Sequence, residues 1–226
     1  MEIKNYYIEK GQGDPMILLH GNSEDHKFFE HQIDLLAEKY HVYALDSRGH
    51  GKTPRGKAPL TIEQMAKDLN DFIESLDSEK VNIFGFSDGA NIAMTYAVDH
   101  PEKIDKLILN AGNMYPEGMP ERLVAAMVRK QQEVKEKMQD DLEAIDRYEK
   151  LTLMIEEPKL TPEDLKKIKS ETLVIAGDED MVLDEHTRLI ADSIPNSRLE
   201  IIEGDHFIAN KKPEEFNEIL KDFLQI

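Results

Sequence analysis

The chain has no cysteine and no tryptophan among its 226 residues. Without cysteine, disulfides, thiolate metal sites and a cysteine nucleophile are all excluded. Without tryptophan, there is no large aromatic anchor for a ligand. Positive charge is scarce: 28 Lys and Arg stand against 46 Asp and Glu, for a net charge of −18. Such a charge repels nucleic acid and anionic membranes, so neither is expected as a partner. Long hydrophobic runs are missing too, since no segment approaches the ~18 apolar residues of a membrane span. The stretch Met1 to Tyr7 lacks the apolar core of a signal peptide. The expectation is a soluble, cytoplasmic protein. The charge serves solubility; the sharper alternative is a negative field that selects neutral or cationic substrates.

What is present is an alternation of strand-like and helix-like segments. Lys4 to Ile8, Met16 to Leu19, His41 to Leu45, Val81 to Phe84, Ile104 to Leu109, Thr172 to Ala176 and Arg198 to Ile202 read as strands. Between them, apolar residues at helical spacing mark helices. One carries Phe28, Phe29, Ile33, Leu36 and Ala37 on a face. Another spans Thr61 to Leu76, with Thr61 as N-cap and Gln64 placed to complete a capping box. Further helices are expected after Gly89, over Glu185 to Ile194 and over Glu214 to Leu224. The pattern predicts an α/β fold: a mostly parallel sheet of about seven strands flanked by helices. The alternation breaks between residues 114 and 169, where Leu123, Met127, Val134, Met138, Leu142 and Ile145 recur at helical spacing amid dense charge. This segment is expected to be an inserted helical lid, splitting the core into residues 1–113 and 170–226. A short last lid helix should start at Thr161-Pro162.

The chemistry concentrates at Gly85-Phe86-Ser87-Asp88-Gly89. A strand, a G-x-S-x-G turn and a helix in that order describe a nucleophile elbow. Glycines flank a turn too sharp for side chains, and the serine is held in a strained conformation that exposes its hydroxyl. The pentapeptide by itself can arise by chance, so partners must decide. A serine hydroxyl needs a base, a group that orients the base, and donors for the developing oxyanion. His206 falls in the loop after the last strand, where active sites of open α/β sheets lie. Of the others, His26, His31 and His186 lie on or near helices, His41 starts a strand, His50 sits in a turn and His100 precedes Pro101 at a helix end. Asp180 follows the strand that ends at Ala176, with Asp178 and Glu179 as close neighbours. The order Ser, Asp, His is that of an α/β-hydrolase. The oxyanion donors are expected to be the backbone N–H groups of Asp88 and of Asn22, in the loop His20-Gly21-Asn22-Ser23.

The chain resembles the α/β-hydrolase superfamily, in the broad group of esterases, lipases and carbon–carbon bond hydrolases with a helical cap. The resemblance rests on His20-Gly21-Asn22, Asp46-Ser47-Arg48-Gly49-His50-Gly51-Lys52-Thr53, the Gly85–Gly89 pentapeptide, Gly177-Asp178-Glu179-Asp180 and Gly204-Asp205-His206. It implies that Asp180, not Asp178, is the triad acid, and that Asp46 and Arg48 form a structural turn. One departure is that a single strand precedes Met16, where relatives often have a hairpin. Gly49 to Thr53 imitates the end of a phosphate loop, but Asp46 stands where a Walker glycine is required. No metal and no cofactor is expected, and Ser87 rather than aspartate at the nucleophile position argues against a dehalogenase or epoxide hydrolase.

These readings make a serine hydrolase, with a carboxylesterase for small to medium esters as the leading expectation. A carbon–carbon bond hydrolase or acyltransferase would use the same triad, and a ligand receptor of this fold is the alternative of another class. Phe28, Phe86, Met114, Met127, Met181, Val182 and Phe207 are the candidate pocket residues for a small-molecule ester. Asp88 is expected either to cap its helix or to contact a cationic substrate group. The oligomeric state is left open.

Overall fold

The structure, a computed structural model, describes residues 3–138 and 141–226. Residues 139 and 140 of the expected lid thus lie outside the described residues. Seven strands form one sheet: β1 Tyr7–Lys10, β2 Pro15–Leu19, β3 His41–Leu45, β4 Val81–Phe86, β5 Ile104–Asn110, β6 Glu171–Gly177 and β7 Ser197–Ile202. Their spatial order is β1-β3-β2-β4-β5-β6-β7, and every pair is parallel except β1 with β3. Successive residues of a strand face opposite sides of the sheet. Ile17 and Leu19 of β2 therefore join one core cluster, while Met16 and Leu18 join the other. In β5, Leu107 and Leu109 face one way and Ile108 the other. Burial on both faces explains the continuous apolar runs of the central strands.

Helices α2 (Ile62–Ile73), α3 (Asp88–Asp99) and α7 (Asp184–Ser193) cover the first face. The second is covered by α1 (Ile33–Leu36), α8 (Ile208–Lys211) and α9 (Pro213–Leu224). Between β5 and β6 the chain leaves the sheet for α4 (Glu121–Lys137), α5 (Leu142–Glu156) and α6 (Pro162–Leu165). Thr161 and Asp164 form a full capping box at α6, with Pro162 in its first turn. At α2 the box is half made. Thr61 accepts from the Gln64 N–H, but the Gln64 side chain turns to Asp68 Oδ1 at 3.1 Å.

Three expectations shift. The first strand runs from Tyr7, not Lys4. Residues 5 and 6 instead pack on the following turn: Asn5 Nδ2 donates to the Asp46 carbonyl and the Tyr6 N–H to Thr53 Oγ1. The single helix expected across Phe28 to Ala37 is a 3-10 turn at His26–Phe29 followed by the short α1. The α8 turn carries no long amphipathic pattern and was not foreseen.

The Asp46 to Thr53 turn is a buried hydrogen-bond hub. Asp46 Oδ1 accepts from the His26 N–H and His26 Nδ1, and Oδ2 from the Lys52 N–H, at 2.7–2.8 Å. Arg48 forms a two-pronged pair with Asp68, Nε to Oδ2 at 2.7 Å and Nη2 to Oδ1 at 2.6 Å, with both side chains buried. Asp68→Ala would leave the guanidinium without that partner inside the fold. We predict a loss of about 3–5 kcal/mol in urea unfolding. A loss below about 1 kcal/mol would show the pair to be dispensable.

Candidate active site

Parallel strands deliver their carboxyl ends to one edge of the sheet, so the loops after β2, β4, β6 and β7 meet there. At the end of β4, Ser87 has φ 52° and ψ −119°. Its neighbours must be glycine. A Cβ at Gly85 would lie 2.3 Å from the Gly89 carbonyl oxygen, and one at Gly89 would lie 1.9 Å from the Leu19 carbonyl oxygen. Close packing of α3 against β2 thus holds the strained serine in place. The Ser87 N–H donates to the Asn110 carbonyl, and the Ser87 carbonyl accepts from Ala90 and Asn91.

The elbow brings Ser87 Oγ to 3.0 Å from His206 Nε2, and His206 Nδ1 lies 2.7 Å from Asp180 Oδ1. An ionised carboxylate only accepts, so Nδ1 carries the proton and Nε2 is free to accept from the serine. Asp180 Oδ1 also accepts from the Val182 N–H at 2.9 Å. Its Oδ2 is buried without a protein partner among the described residues. Of the neighbouring acids, Asp180 is the one bonded to the imidazole among the described residues. Asp178 Oδ1 accepts from the Gly204 N–H at 2.8 Å, tying the β6 and β7 loops together away from the imidazole. His206 is 6% exposed and its ring lies 4.9 Å from that of Phe86. The arrangement is one in which an imidazole can take a serine proton while a carboxylate stabilises the resulting charge.

Among the described residues, neither the Asn22 N–H nor the Asp88 N–H donates to a protein acceptor. Asp88 opens α3, where the helix dipole favours negative charge. The Asn22 loop is shaped by His20. Burial pulls the His20 pKa down, so the ring is neutral. Nε2 accepts from the Ser47 N–H at 3.0 Å, leaving Nδ1–H to donate to the Gly21 carbonyl at 2.8 Å. Asp88 does not cap α3. Its carboxylate, pushed up by burial, accepts from Asn22 Nδ2 at 2.9 Å and Asn91 Nδ2 at 3.4 Å.

Of the candidate pocket residues, Phe28 and Phe86 stack with ring centroids 4.0 Å apart and planes 7° apart. Phe207 is 39% exposed. With Ser23, Glu24, Phe28 and Asn210 it lines an open cleft of about 510 Å³. Val182 is buried and Met181 half-buried beside Asp180. Met127 is buried on α4 outside both core clusters. Met114 is fully buried in the first core cluster, and its N–H donates to His186 Nε2 at 2.9 Å.

Glu24 was not foreseen. It accepts from the Gly21 N–H at 3.2 Å, and burial raises its pKa to about 7 while His206 pulls the other way. A lone loop carboxylate has no periodicity to betray it.

The fold and this edge of the sheet define a class. The sequence model of the alpha/beta hydrolase fold family matches residues 14–147, and the chain belongs to that family of enzymes. Among relatives, serine hydrolase BPHL of Homo sapiens is 28% identical over 99% of this chain and 84% of its own length. The 3-oxoadipate enol-lactonase 2 of Acinetobacter baylyi is 26% identical over 93% of this chain and 89% of its own. Among solved structures, an esterase from Exiguobacterium antarcticum superposes with a TM-score of 0.84 at 25% identity, covering 99% of this chain and 96% of its own.

Glu24 yields a prediction. Burial raises its pKa to about 7, so it gains negative charge at the edge of the site as pH rises through 7, and Glu24→Gln removes that titration. The kcat/KM–pH profile of the wild type should carry an inflection near pH 7 that Glu24→Gln lacks. An inflection that persists unchanged in Glu24→Gln would show that the Glu24 charge does not reach the reaction.

Proposed function

We propose that this hydrolase cleaves carboxylic esters through an acyl-enzyme on Ser87. Ser87 Oγ attacks the ester carbonyl as His206 Nε2 takes its proton. The tetrahedral oxyanion forms between the N–H groups of Asn22 and Asp88. The imidazolium returns its proton to the leaving alcohol, and water then repeats the sequence on the acyl-enzyme. Asp180 holds the ring in the Nδ1–H tautomer and stabilises its positive form. The observation that carries this reading is the chain of hydrogen bonds from Ser87 Oγ through His206 to Asp180, at 3.0 and 2.7 Å. All its atoms are protein atoms, and none of these steps calls for a metal or cofactor.

In this reading α4 and α5 form the lid. The Lys150 carbonyl of α5 accepts from Asn22 Nδ2 at 3.2 Å, which brings the helix against the oxyanion loop. Met127, Met181 and Val182 supply an apolar wall, which suits short to medium acyl groups. The open cleft between Phe28 and Phe207 receives the alcohol part.

A p-nitrophenyl ester series of increasing acyl length tests this. Turnover should be highest for short to medium chains and fall for long ones. Ser87→Ala should lose roughly 10⁴-fold or more in kcat. Equal rates for wild type and Ser87→Ala would contradict the mechanism. Turnover of a carbon–carbon substrate but not of esters would reassign the reaction while keeping the triad.

A further inference from the structure

The Asn22 side chain lies at the meeting point of three elements distant in sequence. Its Oδ1 accepts from Ser23 Oγ at 2.9 Å. The two hydrogens of its Nδ2 go to different places, one to Asp88 Oδ2 at 2.9 Å and one to the Lys150 carbonyl at 3.2 Å. An amide is planar and its two N–H directions are fixed, so satisfying both orients the whole group. Asp88 is held in turn. Its other oxygen takes Asn91 Nδ2, and Asn91 exchanges two hydrogen bonds with Asn113, Nδ2 to Oδ1 at 2.9 Å and Oδ1 from the N–H at 2.8 Å. Asn113 lies three residues beyond the end of β5, on the path to α4 and α5. A continuous polar network therefore runs from the middle of α5, through the oxyanion loop and the elbow, to the root of the helical segment.

We propose that the Asn22 side chain is a positioning residue that couples the seating of α5 to the aim of the Asn22 backbone N–H, with the Asp88 carboxylate as its anchor. When α5 is seated, both amide hydrogens are satisfied and the N–H points into the oxyanion site. When α5 lifts, one bond is lost and the loop relaxes. Coupling of this kind is reciprocal, so an occupied oxyanion site also holds α5 down. This inference rests on the reading that the Asn22 N–H is an oxyanion donor. It gives the half-buried Asp88 carboxylate a role in the protein's own architecture rather than in contacting a cationic substrate.

The test combines steady-state turnover of p-nitrophenyl acetate with hydrogen exchange of the α5 amides, before and after reaction with a fluorophosphonate. Asn22→Ala, the near-isosteric Asn22→Asp, Asp88→Ala and Asp88→Asn are compared in the full chain. Asn22→Ala, Asn22→Asp and Asp88→Ala should each lower kcat about 10- to 100-fold, a misaimed group's effect, with KM within about threefold. Asp88→Asn, which keeps an acceptor, should recover most of the rate that Asp88→Ala loses. The Asn22→Ala, Asp88→Ala double variant should be little worse than the weaker single one. Phosphonylation should slow α5 exchange in the wild type and not in Asn22→Asp. An unchanged kcat in Asn22→Asp, or equal α5 protection in both proteins, would overturn the coupling. A loss in Asp88→Asn confined to amine-bearing esters would overturn the anchor role and assign Asp88 to the substrate. A wild type that neither turns over the ester nor takes the phosphonate would sink the serine-hydrolase reading, and the coupling with it. Normal wild-type turnover beside unaffected Asn22 variants would sink the coupling alone.

Discussion

The packing of Gly89 against the Leu19 carbonyl is the constraint on which the rest depends. A Cβ there would sit 1.9 Å from that oxygen, so only glycine lets α3 approach β2 this closely. The approach in turn permits the left-handed Ser87, whose φ of 52° lifts the hydroxyl off the strand and towards the β7 loop. It also lays the first turn of α3 beside the loop after β2, which is where Asn22 reaches Asp88. One steric fact thus aligns Ser87, the N-terminus of α3 and the loop that carries Asn22.

Electrostatics then separate one histidine from the others. Burial drives His50 and His186 down to about 4 and pulls His20 down as well, so these three rings are neutral scaffolding. His20 and His186 spend that neutrality as acceptors of the Ser47 and Met114 N–H groups. His26 does meet a carboxylate, Asp46, but inside the structural turn. His206 alone among the described residues joins a carboxylate on one ring nitrogen to a serine hydroxyl on the other. The difference lies in placement at strand ends rather than in residue type.

Much of this was legible in the sequence, for physical reasons. Buried parallel strands announce themselves as short apolar runs, and β3 was read to the residue. The elbow was legible because its steric demand admits few residues. Elements with weak periodicity were misread. Edge strand β1 is half exposed, and the Phe28 to Ala37 stretch breaks into two short turns. Contacts between distant residues left no trace. Nothing local distinguishes Asp180 from Asp178 until the β7 loop closes on Asp178 and the imidazole on Asp180. Glu24 and the Asn22–Lys150 bond are invisible for the same reason.

The central claim is that the strained Ser87, activated by His206, is the group that bonds to substrate. Mass spectrometry of the protein after treatment with a fluorophosphonate tests it most directly. The account predicts one adduct per chain, on Ser87, and its disappearance in His206→Ala. An adduct on any other residue, or labelling of Ser87 at an undiminished rate in His206→Ala, would contradict it.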